Sequence, residues 1–168
     1  MFRLDKKTVL ITGASGGIGG EIARTLHGAG ATVALSGTRL APLQALSTEL
    51  GARVHVLPCD LSDLDEVTAL PKQANEAMGS VDILINNAGI TQDARLVKMT
   101  EMQFDAVIDV NLKGVFNCTQ LVVPHMLEAK RGAIVNASSV VGLYGNFGQT
   151  NYSATKYVVP HRTGARWL

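Results

Sequence analysis

This 168-residue chain lacks most of the features that mark special classes of protein. Cysteine occurs twice, at Cys59 and Cys118, with neither CxxC nor metal-type spacing. That excludes a disulfide scaffold and suits a reduced, cytoplasmic setting. Charge is sparse and balanced: 17% of residues are charged and the formal net charge is +1. Such a balance excludes a strongly electrostatic nucleic-acid or membrane binder, and His161, Arg162 and Arg166 near the end read as a small solvated cluster. No apolar run is long enough to span a bilayer, and the opening MFRLDKKTVLIT has no apolar stretch of the kind a secretory leader needs. The four histidines form no spacing that suggests a triad or a metal site. The expectation is a cytoplasmic protein with no nucleic-acid, membrane or metal partner.

Hydrophobic residues make up 46% of the chain, enough for one domain with a core. Short apolar runs at 8–13, 31–37, 52–58, 81–87 and 132–138 read as five strands. Several are apolar without alternation, as parallel strands covered on both faces should be. Helical patterns lie between them at 17–29, 40–50, 63–78 and 101–129, and Thr100 with Gln103 forms a capping-box signal at the start of the last. Repeated strand–helix–strand units with right-handed crossovers predict an α/β, doubly wound parallel sheet.

The stretch TGASGGIGG leaves the first strand and opens the first helix. Gly13, Gly17 and Gly19 are spaced G-x-x-x-G-x-G, one residue looser than the G-x-G-x-x-G dinucleotide fingerprint. A tight turn needs a residue free to take positive φ, and phosphate needs backbone N–H groups with no Cβ in the way. The helix N-terminus adds partial positive charge. The reading is a nucleotide-binding turn rather than a merely tight one. After the second strand comes Ser36-Gly37-Thr38-Arg39, where a carboxylate for an NAD ribose would stand. With none there, a 2′-phosphate can sit against Arg39 and the Thr38 hydroxyl, which favours NADP(H); a solvated Arg39 at a helix start is the alternative.

Near the end, Tyr152 and Lys156 stand four apart, so a helix puts both on one face. Pro160 is expected to stop that helix, because its ring and missing N–H break the hydrogen-bond ladder. With TGASGGIG at 12–19, NNAG at 86–89 and Tyr-x-x-x-Lys at 152–156 in this order, the chain resembles the short-chain dehydrogenase/reductase family. NNAGIT, DVNLKGVF, SSVVG and GNFGQTNYSATK are most similar to its 3-oxoacyl-[acyl-carrier-protein] reductases.

The resemblance implies a Rossmann-like sheet of strand order 3-2-1-4-5 here. It implies cofactor contacts at Gly13, Ser15, Gly16, Gly17, Ile18, Gly19, Thr38, Arg39, Asp60, Leu61, Asn87, Ala88, Gly89, Tyr152 and Lys156. Asp60 has two readings, a contact to the adenine amino group or a helix-entry residue ahead of Ser62. The resemblance makes Asn111, Ser139, Tyr152 and Lys156 the catalytic group, and Ser139, Gln149 and Tyr152 the substrate contacts. Of the serine pair, Ser139 immediately precedes Val-Val-Gly and lies thirteen residues before the tyrosine, as in the resembling enzymes; Ser138 reads as a strand-end hydroxyl. Asn111 is the polar member of an apolar stripe with Phe104, Val107, Ile108, Val115 and Val122. A buried amide without partners costs ~1–3 kcal/mol, so it must join a network.

The implied chemistry is NADPH-dependent reduction of a 3-oxoacyl thioester, with Tyr152 giving the proton and the neighbouring lysine favouring the phenolate that remains. Acyl carrier protein and a homotetramer are the implied partners. After Lys156 the resemblance stops: residues 1–156 are expected to form the dinucleotide-binding unit and 157–168 a tail foreign to the family, as after a frame shift or truncation. The 132–138 strand would then be a sheet edge. Two alternatives follow, a non-catalytic remnant that keeps partial cofactor binding, and a related reductase acting on another ketone or secondary alcohol.

Overall fold

The structure, a computed structural model, describes residues 3–163, with side chains through residue 159. Five strands carry the predicted apolar runs: β1 (Thr8–Ile11), β2 (Thr32–Gly37), β3 (Val54–Pro58), β4 (Ile83–Asn86) and β5 (Ala133–Asn136). All pairings are parallel and the order is β3-β2-β1-β4-β5. The helices α1 (Gly17–Gly28), α2 (Leu40–Leu50) and α3 (Leu64–Met78) fill the first three crossovers. Each strand is shorter than its apolar run: β1 stops early at the carboxyl edge, β2 and β3 start late, and β4 and β5 are trimmed at both ends.

Two cores result from alternation along the strands. Val9, Ile11, Val33 and Leu35 pack with Ala23, Leu43 and Leu46 of α1 and α2. Leu10, Ala34 and Leu84 face the other way, onto Val67 and Leu70 of α3 and Cys118 and Val122 beyond it. Each fully buried Leu, Ile or Val contributes about 1.5–3 kcal/mol relative to exposure. This double covering is why the strands read as apolar without alternation. Asp63 caps α3, accepting from the Asp65 and Glu66 N–H groups.

The predicted 101–129 helix forms with a modification. It comprises α4 (Glu101–Ile108) and α5 (Gly114–Glu128), joined without a break by a π-helical turn at Asp109–Lys113. Thr100 and Gln103 form the capping box in full. The extra residue in the π turn shifts the inward stripe to Val107, Asn111, Gly114, Cys118, Val122 and Met126; Phe104 is exposed and Val115 half-buried.

A short helix, α6 (Val140–Tyr144), follows β5, and α7 (Thr150–Thr163) carries the tyrosine and the lysine. Here one expectation fails. Helix α7 passes through Pro160 and continues to Thr163. Proline removes one ladder bond but need not end a helix when the orphaned carbonyl finds another donor; Pro71 and Pro124 likewise stand inside α3 and α5. Strand β5 forms the edge expected for 132–138: among the described residues it pairs with β4 alone, and Val135 is 53% exposed. Among the described residues no helix is long and apolar enough to cross a membrane.

Candidate functional site

A cavity of about 540 Å³ opens at the carboxyl edge of the sheet, within the range of small-molecule sites. Its wall includes Gly13, Ser15, Gly16, Gly17, Ile18 and Gly19 from the glycine turn, Thr38 and Arg39 after β2, Asp60 and Leu61 after β3, and Asn87, Ala88 and Gly89 after β4. These are the expected cofactor residues other than Tyr152 and Lys156, gathered from four separate loops. Asn111, Ser139, Gln149, Tyr152 and Lys156 are not among its wall residues.

The glycines do different work. Gly13 has φ +67, and a Cβ there would lie 2.7 Å from Ala88 Cα, so it serves both the turn and a close backbone approach. A Cβ on Gly19 would collide with the Gly13 carbonyl. At Gly17 a Cβ would meet nothing within 4 Å, although the residue lines the cavity. That opening lies at the start of α1, whose N-terminus carries no side-chain cap and no acidic residue in its first turn. Uncapped N–H groups beside open space fit a diphosphate.

Thr12, which sequence reasoning passed over, fastens this turn. Its buried hydroxyl accepts from the N–H groups of Asn87 and Ala88, both at 3.1 Å, and donates to the Ile85 carbonyl. The Asn87 side chain points the same way, donating to the carbonyls of Thr12 and Gly13 at 3.1 and 3.3 Å. Arg39 lies on the rim, donating to the Ser15 carbonyl at 2.6 Å. Asp60 folds into a local turn, where its Oδ1 accepts from the Ser62 N–H and hydroxyl. The helix-entry role belongs to Asp63 instead. Cys59 in the cavity wall and Cys118 in the core are both held protonated, burial pushing each thiol up to about 12.

The second half of the site lies on α7. The Lys156 side chain is buried, its residue only 4% exposed; Nζ donates to the Ala137 carbonyl at 2.7 Å and stands 5.7 Å from the centre of the Tyr152 ring. Burial lowers its pKa. Asn111, 0% exposed, closes the two-sided network its burial demands: Oδ1 accepts from the Ile90 N–H at 2.8 Å, and Nδ2 donates to the Ile90 carbonyl at 2.9 Å and the Thr155 hydroxyl at 3.4 Å. Gly89 joins the halves. A Cβ there would lie 3.4 Å from Asn111 Oδ1 and 3.5 Å from Lys156 Nζ, so the cavity wall passes directly beside both.

Ser139 caps α6, its Oγ accepting from the Val141 N–H at 3.2 Å, which leaves its own O–H able to donate. Gln149 spans the loops, with Nε2 donating to Asp93 and Oε1 accepting from Asn146. Asn151, also missed, is 0% exposed: Nδ2 donates to the carbonyls of Gln92 and Gln103, and Oδ1 accepts from the Tyr152 N–H. Its only signal in the sequence is a polar residue beside the tyrosine, which does not foretell burial.

Comparison with known proteins agrees with this fold. A family profile described as short chain dehydrogenase matches residues 7–165. Nodulation protein G of Rhizobium sp. (strain N33) is 50% identical over 156 residues, covering 93% of this chain and 64% of that protein. A 3-oxoacyl-[acyl-carrier-protein] reductase FabG of Thermotoga maritima is 47% identical over 157 residues, covering 92% of this chain and 64% of the relative. A solved short chain dehydrogenase/reductase family protein superposes with a TM-score of 0.90 at 31% identity, over 96% of this chain and 67% of its own. The chain therefore spans about 64% of the length of these curated relatives.

Proposed function

Because the chain belongs to the short chain dehydrogenase family, we propose that it reduces a 3-oxoacyl thioester on acyl carrier protein to the 3-hydroxyacyl form with NADPH. The observation that carries this reading is the convergence at Gly89, where the nucleotide cavity runs up against Lys156 and Asn111, with Tyr152 beside the lysine. The N–H groups opening α1 would hold the diphosphate, Asn87–Gly89 would line the adenosine side, and Asp60 in the cavity wall would meet the adenine. Arg39 and Thr38, with no carboxylate beside them at the end of β2, favour a 2′-phosphate. When bound, the dinucleotide supplies a hydride for the ketone carbon.

The remaining work belongs to the chain. Tyr152 carries the proton for the ketone oxygen, Ser139 donates a hydrogen bond to that oxygen, and Gln149 borders the substrate. Lys156 keeps positive charge beside the phenol, and Asn111 holds the backbone at Ile90 against α7. A positioned general acid of this kind contributes typically 10²–10⁴-fold in rate. Within the same proposal the protein is a cytoplasmic homo-oligomer; Phe116 on α5 and Tyr157 on α7, both more than half exposed, support contact between copies.

A second reading has its own support. Asn111, Ser139, Gln149, Tyr152 and Lys156 all stand outside the cavity wall. On this reading it binds the cofactor without turning over. Titration with NADPH, followed by addition of an acetoacetyl thioester and measurement of nicotinamide absorbance, separates the two. Turnover that Tyr152→Phe abolishes supports the reductase. Binding without turnover selects the second reading, and faster consumption of a free ketone than of the thioester selects a different substrate class.

A further inference from the structure

In α7 the Lys156 carbonyl would ordinarily receive the N–H of residue 160, and residue 160 is proline, which has none. The structure supplies a replacement: Ser138 Oγ donates to the Lys156 carbonyl at 2.8 Å. We propose that Ser138 is a positioning residue for Lys156, its hydroxyl standing in for the amide proton that Pro160 lacks and so fixing the backbone from which the lysine side chain reaches the site. The catalytic consequence rests on the role given to Lys156 above; the positioning itself does not.

The hydroxyl belongs to a segment that grips the lysine at both ends. Ala137 accepts from Lys156 Nζ at 2.7 Å, so two consecutive residues engage the amine and the main-chain carbonyl of one lysine. Four residues after Ser138, Gly142 lets α6 lie directly on α7, since a Cβ there would come 2.5 Å from the Lys156 carbonyl carbon and 2.6 Å from its oxygen. Ser153 Oγ donates to the Val141 carbonyl at 2.9 Å and ties the same helices one turn earlier. The serine pair thus divides its labour: Ser139 caps α6, while Ser138 turns to α7. Without Ser138 the carbonyl has neither its helical donor nor its substitute, and the last turns of α7 lose their anchor beneath the lysine.

The coupling to Pro160 makes the proposal testable without any assay of turnover. Full-length wild type, Ser138→Ala, Ser138→Thr, Pro160→Ala and the Ser138→Ala/Pro160→Ala double variant are exposed to an amine-acetylating ester and to a thiol alkylator, and labelling is read residue by residue by mass spectrometry. Buried Cys118 reports global opening. The expected result is a several-fold rise in acetylation of Lys156 in Ser138→Ala with Cys118 still protected, and near-wild-type labelling in Ser138→Thr. The rise should be largely erased in the double variant, because Pro160→Ala returns the missing N–H. Unchanged labelling of Lys156 in Ser138→Ala overturns the proposal. So does an equal rise with and without Pro160, or a rise matched by alkylation of Cys118. If no form turns over substrate, the labelling still decides this point and only the reductase reading falls.

Discussion

At the β1–α1 end the cavity is shaped by glycine backbone, with Thr12 and Asn87 fastening it, whereas the β5–α7 end is built throughout from side-chain hydrogen bonds. The glycine turn shapes its cavity by omission: Gly13 and Gly19 allow chain segments to touch, and Gly17 leaves a gap. Its close approaches are within the turn, at Gly13–Gly19, and to the loop after β4, at Gly13–Ala88. The lysine end works by addition. Asn151 joins the loop after β4, α4 and α7; Asn111 joins Ile90 to Thr155; Ser138 joins the end of β5 to Lys156. Glycine turns tolerate change on their outer faces and none at their contacts, whereas a buried amide network loses a defined bond for each group removed.

The sharpest way to separate the ends is Tyr152→Phe, for which turnover should fall by about 10²–10⁴ while NADPH binding, measured by fluorescence titration, stays near wild type. A parallel loss of binding would mean that the two ends do not divide the work in this way. Gly19→Ala attacks the other end. Its methyl meets the Gly13 carbonyl, and overpacking of this kind costs about 1–3 kcal/mol, visible as a lowered denaturation midpoint together with lost cofactor affinity. A fully stable variant with normal affinity would show that the turn is looser than its contacts indicate.

Asn151→Ala leaves two carbonyls and the Tyr152 N–H without their side-chain partner, at about 1–3 kcal/mol in a urea titration. An unchanged midpoint would count against a network-built lysine end. Arg39→Ala should weaken NADPH by about tenfold, roughly 1.4 kcal/mol, and leave NADH nearly untouched; equal losses would remove the 2′-phosphate assignment. The smallest effect concerns pH. Burial lowers the Lys156 pKa, so between that lowered value and the ordinary lysine value near ~10.4 the unfolded chain holds more protons than the folded one, and stability gains as pH rises. Relative to Lys156→Met, which has nothing to titrate there, wild type should improve across this window in melts taken at successive pH values. A constant difference would place the amine in water.

The same contrast explains what could be read in advance. The five apolar runs, the capping box at Thr100, the turn at Gly13–Gly19 and the placing of Tyr152 and Lys156 on one helix are short-range patterns, and all are present in the fold, while the strand order came through the family resemblance. Thr12, Ser138, Asn151 and the π turn around Asn111 were not legible. A threonine or serine at a strand end looks alike whether it faces water or ties down a helix eighteen residues away, as Ser138 does. Pro160 was misread for the same reason: a rule about one helix does not contain the donor that a neighbouring strand end brings.

Periodicity and residue type by themselves determined the parallel α/β sheet and the nucleotide-shaped turn, because strand alternation and glycine's missing Cβ are properties of adjacent residues. The partners of the buried amides and the continuation of α7 past Pro160 were decided only by tertiary structure. A polar group removed from water must find a partner, and which partner lies within reach is settled only when distant segments meet.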